Sequence, residues 1–198
     1  MFALTTLKSQ VAYDQIDLFD MNRKGWAQVK LNGKFGFIDS NGIEIVQPIY
    51  DNIYLFDMDK QGWAKVKLNG KFGFIDSNGI ETVQPIYDNI YLFDMDKQGW
   101  AKVKLNGKFG VINSNGIEIV QPVYDDIDLF DMDKQGWAKV KLNGKFGFIN
   151  SNGIEIVHPI YDAIERFDMD KQGWAAVRIG KQVSYIDTNG VLVLTDKN

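Results

Sequence analysis

The residues of this chain best suited to chemistry begin with an acidic run. Asp57-Met-Asp59-Lys-Gln61-Gly62 sets side-chain oxygens at its first, third and fifth positions and a glycine at its sixth. A calcium loop of the EF-hand type begins in the same way. Its twelfth position, however, is Leu68, where such a loop needs a bidentate glutamate. The equivalent run Asp20-Met-Asn22-Arg-Lys24-Gly25 also puts a lysine at a ligand position. The run therefore reads as a solvated acidic turn, and no metal is expected.

Tryptophan is the second candidate. Trp26, Trp63, Trp100, Trp137 and Trp174 could stack sugar rings or clamp a partner. A Trp recurring at one strand position beside two phenylalanines is more simply a layer of the core. His158 is the one histidine, and its place is taken elsewhere by Gln47, Gln84 and Gln121. With no cysteine and a single histidine, a Ser/His/Asp or zinc constellation has no support. Carboxylates recur as turn residues in every copy, and five equivalent active sites are not expected. No catalytic residue, cofactor or enzymatic activity is therefore assigned. The Asn-Gly and Ser-Asn-Gly steps are turn chemistry and not phosphate loops.

A better binding candidate is a variable position. Asp17, Tyr54, Tyr91, Asp128 and Glu165 are equivalent, while the isoleucine before each of them does not change. A position that exchanges tyrosine for acid is expected to be exposed. Tyrosines flanked by carboxylates suit a protein partner, because Tyr is favoured at interfaces.

The elements that position these residues are copies of one another. The tryptophans, the Tyr-Asp pairs starting at Tyr13, Tyr50, Tyr87, Tyr124 and Tyr161, and the prolines Pro48, Pro85, Pro122 and Pro159 all step by 37 residues. Five repeats follow, 13–49, 50–86, 87–123, 124–160 and 161–197, after a leader at 1–12. The second and third repeats differ only at 74/111, 76/113, 82/119 and 86/123. A fixed period in this range marks a repeat architecture whose neighbours bury one another's faces.

Within a repeat the punctuation is β. "GWAKVKL" alternates and meets Asn69-Gly70, the preferred pair for a two-residue type I′ hairpin. "KFGFI" returns, "DSNG" turns, and "IETVQPI" is a third strand closed by Pro85, which suits a strand end. "YDNIYLFDMDKQ" leads to the next hairpin and has room for a short fourth strand. The hairpin register pairs Leu68 with Lys71, Val66 with Gly73 and Ala64 with Ile75. That face is thin and apolar, with glycine opposite valine, so another layer can approach. The opposite face sets Trp63, Lys65 and Lys67 beside Phe72 and Phe74, with lysine stems able to lie over rings. Two partly apolar faces imply sheets covered on both sides.

The leader takes the place of a third strand and reads as an N-terminal capping strand. The last repeat degrades "KFGF" to "KQVS". Atypical ends are expected of an open array. The fold expectation is an all-β chain of tandem 37-residue hairpin and meander repeats, forming one domain as an open curved array with capping ends. A five-bladed β-propeller is the alternative.

Composition excludes several classes. The chain is 45% hydrophobic with no cysteine, which supports a core without disulfides or thiolate sites. Its formal net charge of −4 argues against nucleic acid, whose binding needs a basic footprint. No window is apolar for the roughly 18 residues of a membrane span, so no membrane insertion is expected. The leader lacks the basic and apolar regions of a signal peptide, and a cytoplasmic location is the expectation. Nothing in the sequence specifies an oligomeric state.

The run Lys34-Phe35-Gly36-Phe37-Ile38-Asp39, then Gly42, Pro48, Tyr50-Asp51, Phe56 and Gly62-Trp63-Ala64-x-Val66 resembles the bacterial WG β-repeat family. The resemblance covers residues 13–197. Phe stands where the family has its naming Trp, and Trp stands where Leu is usual. "GWAKVKLNGKFGFIDSNG" is more distantly similar to the Gly-Trp repeats of choline- and glucan-binding surface proteins, which use a shorter period. The family resemblance implies a non-catalytic structural or interaction module. The functional expectation is a repeat scaffold for a protein partner. One form of it is an inhibitor or immunity partner that blocks a basic bacterial toxin domain. The alternative is carbohydrate or cell-surface ligand binding through the aromatic ladder.

Overall fold

The computed structural model describes residues 12–17, 25–54, 63–92, 100–113, 115–128, 137–165 and 173–193. The leader, apart from Ala12, and the acidic run Asp57–Gly62 with its copies, apart from Gly25 and Gly173, lie outside these residues. Two compact units divide the chain, Met1–Ile86 and Tyr87–Asn198.

The described residues form antiparallel sheets of four strands each. The first sheet comprises β1 (Gln15–Ile16), β2 (Ala27–Leu31), β3 (Lys34–Ile38) and β4 (Glu44–Tyr50). The second comprises β5 (Asn52–Tyr54), β6 (Trp63–Leu68), β7 (Lys71–Asp76) and β8 (Glu81–Tyr87). The third comprises β9 (Asn89–Leu92), β10 (Trp100–Leu105), β11 (Lys108–Asn113) and β12 (Glu118–Tyr124). The fourth comprises β13 (Asp126–Asp128), β14 (Trp137–Leu142), β15 (Lys145–Asn150) and β16 (Glu155–Tyr161). The fifth comprises β17 (Ala163–Ile164), β18 (Ala175–Ile179), β19 (Gln182–Ile186) and β20 (Leu192–Val193). Each is a meander in chain order. The short extra strand precedes the hairpin it pairs with, and it forms one edge of the sheet.

Local chemistry explains the hairpins. Asn69 and Gly70 take φ of 51° and 80°, the left-handed pair that a type I′ turn requires. Leu68, Val66 and Ala64 pair with Lys71, Gly73 and Ile75, the register that alternation implies. The next turn is held by an Asx motif, in which Asp39 Oδ1 accepts from the amides of Asn41 and Ile43.

Two details differ from expectation. Pro85 lies inside β8 and not at its end, and the equivalent strands β12 and β16 shift register around their prolines. An edge strand with a bulge tolerates proline because no ladder partner needs its missing amide. The glycine opposite valine answers to the same bulge and not to an incoming layer. A Cβ at Gly147 would meet Val157 O at 2.3 Å and Pro159 N at 2.8 Å, both backbone atoms of its own sheet.

The core lies between stacked sheets. Phe37, Val46 and Tyr50 of the first sheet pack on Ile53, Ala64, Val66 and Ile75 of the second. In the second unit, Trp100, Val111, Val120 and Tyr124 pack on Ile127, Ala138, Val140 and Ile149. Phe148, Val157 and Tyr161 then pack on Ile164, Ala175, Val177 and Ile186. One face of each sheet is thus aromatic and the other small and aliphatic. Each fully buried Val, Ile or Phe contributes about 1.5–3 kcal/mol.

Candidate functional site

The constant Tyr-Asp pair has a structural explanation. Tyr50 OH donates to Glu81 Oε1 at 2.7 Å, Tyr87 OH to Glu118 at 2.8 Å, and Tyr124 OH to Glu155 at 2.7 Å. Each bond ties the last residue of one sheet to the outer strand of the next. Burial first, and then the bonded carboxylate, push these three hydroxyls well above the ordinary phenol range.

The aspartate after each tyrosine ties repeats together in a second way. Asp51 pairs with Lys34 of the preceding repeat and accepts from the amide of Gly70 at its own hairpin tip. Asp125 does the same with Lys108 and Gly144, and Asp162 with Lys145 and Gly180. The lysine first, and then the glycine amide, hold these carboxyls below the usual carboxylate range. Both ladders were missed by reading strands alone. Their trace in the sequence is a Tyr, an Asp, a Lys and a Glu that each recur at 37-residue steps, with Leu192 ending the glutamate series.

The tryptophans lie on the aromatic faces. Trp26, Trp63 and Trp137 stand tilted against Phe37, Phe74 and Phe148 at 5.7, 5.3 and 5.7 Å between centroids, and Trp174 against Tyr185 at 6.1 Å. In the third sheet the position of Phe74 is held by Val111, and Trp100 is 7% exposed. Trp26 and Trp137 pack against the core clusters of their junctions.

The variable position lies on the short first strand or just past it, opposite a lysine of the hairpin in the second, third and fourth sheets and opposite Gln28 and Ala176 in the first and fifth. Tyr54 pairs with Lys65, Tyr91 with Lys102 and Asp128 with Lys139. Asp17, Tyr54 and Glu165 are exposed, whereas Tyr91 and Asp128 are half-buried. The ring of Tyr54 lies 6.1 Å from Phe72, and Lys65 sits 4.1 Å over Phe72 with Lys67 at 5.4 Å. Tyr91 repeats the arrangement with Phe109, at 6.1 Å, and Lys102 lies 4.2 Å over that ring. Burial lowers the Lys65 ammonium from its ordinary value. Lys102 also reaches the following sheet, donating to Asp126 Oδ1 at 2.5 Å and to Ile127 O at 2.7 Å. The result is a cation–aromatic stack beside a tyrosine or an acid.

His158 is exposed, with Nδ1 2.7 Å from Glu155 Oε2. Among the described residues, no group of three or more His, Asp or Glu is placed to hold a metal ion.

The family comparison agrees with the repeat reading. A model described as the WG containing repeat matches residues 35–72, 72–109, 109–146 and 146–182. A Gly-Tryp (GW) dipeptide domain model matches residues 8–44. No curated protein matches the chain. Among solved structures, Kluyveromyces lactis Hsv2p is 11% identical, with 91% of this chain and 63% of that one covered at a TM-score of 0.33. A eukaryotic initiation factor is 9% identical, with 92% and 64% covered at 0.39. PorZ of Porphyromonas gingivalis is 8% identical, with 87% and 25% covered at 0.32. The chain spans just under two thirds of the length of the first of these structures.

Proposed function

Because this chain belongs to the WG containing repeat family, we propose that it is a non-enzymatic β-repeat scaffold that presents its variable position to a protein partner. The observation that carries the reading is the exposure of Asp17, Tyr54 and Glu165 at one repeat position, while the recurring Tyr-Asp pair is engaged between sheets. Tyr54 offers a ring and a hydroxyl beside Lys65, a combination favoured at interfaces. One form of the proposal is an inhibitor or immunity partner that covers a basic toxin domain, supported by the net charge of −4.

The test is affinity purification of a tagged chain from cells that express it, at low and at raised salt. The expected result is a stoichiometric, basic protein that is lost with a Tyr54→Ala/Tyr91→Ala variant and weakened by salt. The competing reading is carbohydrate or cell-surface ligand binding through the tryptophans. Sugar-specific signals on a glycan array that disappear with Trp63→Ala would replace the first reading with the second.

A further inference from the structure

The protein-binding reading leaves one repeated surface unexplained. The outer strand of each sheet turns alternate residues to solvent, and several are large and aliphatic. In the second unit Ile117, Val123, Ile154, Ile160 and Val191 are all between 47% and 60% exposed. Contiguous exposed apolar surface on a folded chain commonly marks an interaction site.

Two of these residues adjoin in sequence the groups that join one sheet to the next. The Tyr124–Glu155 bond joins the end of β12 to the start of β16, and a Cβ at Gly153 would stand 2.3 Å from Ile119 O. Val123 and Ile154 are the residues immediately before the two bonded ones, so one junction holds both. Ile49 and Ile80 flank the Tyr50–Glu81 bond of the first unit in the same way.

Charge identifies the occupant. Strands β12 (EIVQPVY) and β16 (EIVHPIY) carry Glu118 and Glu155, each of which also accepts from a tyrosine hydroxyl, and no lysine or arginine; His158 of β16 stands 2.7 Å from Glu155. The lysines belong to the hairpin strands. Pro122 and Pro159, with the register shifts beside them, interrupt the free backbone edge. Addition of a further strand through main-chain bonds is therefore disfavoured. We propose that β12, β16 and the residue before each form a docking surface for a basic protein segment that carries aliphatic side chains. This inference rests on the protein-binding reading but places contact away from the variable position.

The test uses the full chain and a fluorescent synthetic peptide of alternating leucine and lysine, titrated by anisotropy. Val123→Thr/Ile154→Thr keeps the β-branched shape while removing the apolar ends. Glu118→Gln/Glu155→Gln keeps an acceptor for each tyrosine while removing charge. Unchanged melting of both variants establishes that they fold. Each is expected to weaken binding about tenfold or more, and a leucine/glutamate peptide is expected not to bind. Equal binding of both peptides, no binding, or unchanged affinity in the folded variants overturns the inference. If Tyr54→Ala/Tyr91→Ala alone abolishes binding, the inference falls and the variable-position reading stands. Self-association that disappears in the threonine variant assigns the surface to a second copy and also overturns it.

Discussion

Trp100 shows how one substitution between repeats redistributes a layer. Elsewhere the tryptophan leans on an aromatic ring at the position of Phe74, but the third repeat has Val111 there. Trp100 is 7% exposed and belongs to the cluster of Val120, Tyr124 and Ile127. Trp100→Ala is expected to cost about 3–5 kcal/mol, read from urea or thermal unfolding, with a larger loss than a truncation on the exposed side. Stability near that of the parent would remove Trp100 from the core and return it to the pool of binding rings. The recurrence of tryptophan was plain in the sequence. Which copy is most buried was not, because burial depends on a residue contributed by the facing strand.

At the scale of elements, hydrogen bonds and ion pairs between successive sheets make stability depend on pH from both sides. Asp51, Asp125 and Asp162 have folded pKa values below their ordinary range. Their contribution is complete above the unfolded carboxylate pKa and is lost as pH falls through the lower folded value. Tyr50, Tyr87 and Tyr124 have folded values above the ordinary phenol value of 10.0. Their contribution is complete below that value and is lost as pH rises beyond it toward the folded one. Melting temperature is therefore expected to be flat between about pH 5 and pH 9 and to fall on either side. Tyr50→Phe/Tyr87→Phe/Tyr124→Phe should lower the plateau and make the alkaline fall shallower. An unchanged alkaline slope would show that the tyrosine ladder does not carry it. The hairpins behind these ladders were legible in Asn-Gly and in alternation. The tyrosine ladder joins residues 31 apart and the aspartate ladder residues 17 apart, and strand pairing within one repeat does not reveal them.

At the scale of the whole molecule, the repeated junction is the unit of stability. Every junction described within a unit sets an aromatic face against an Ile, Ala, Val and Ile face of the next sheet. Faces that match in type are interchangeable, as expected of a chain whose stability sums over neighbours. Deleting residues 124–160 joins Val123 to Tyr161 and presents Ile164, Ala175, Val177 and Ile186 to the face that holds Trp100. That variant is expected to keep a β-type circular dichroism spectrum and a cooperative melt. Deleting 124–141, which removes part of a repeat and leaves β15 without its hairpin partner β14, is expected to lose cooperativity. Equal behaviour of the two deletions would argue against the junction as the unit.

The sequence by itself determined the period, the β class, the hairpin register and the turn chemistry. Each of these depends on residues close together in the chain or on copies of the same residues. Asn69-Gly70 demands its turn whatever lies around it, because few other pairs accept two positive φ angles. Tertiary structure decided what the polar positions do. The Tyr-Asp pair, which suggested nothing beyond a repeat marker, became two ladders once successive sheets were stacked. Pro85, read as a strand end, came to lie inside its strand, where the backbone stands so close to Gly73 that a side chain there would clash. Several isoleucines of the outer strands stand exposed, since hydrophobicity is written in the sequence but the neighbour that covers it is not.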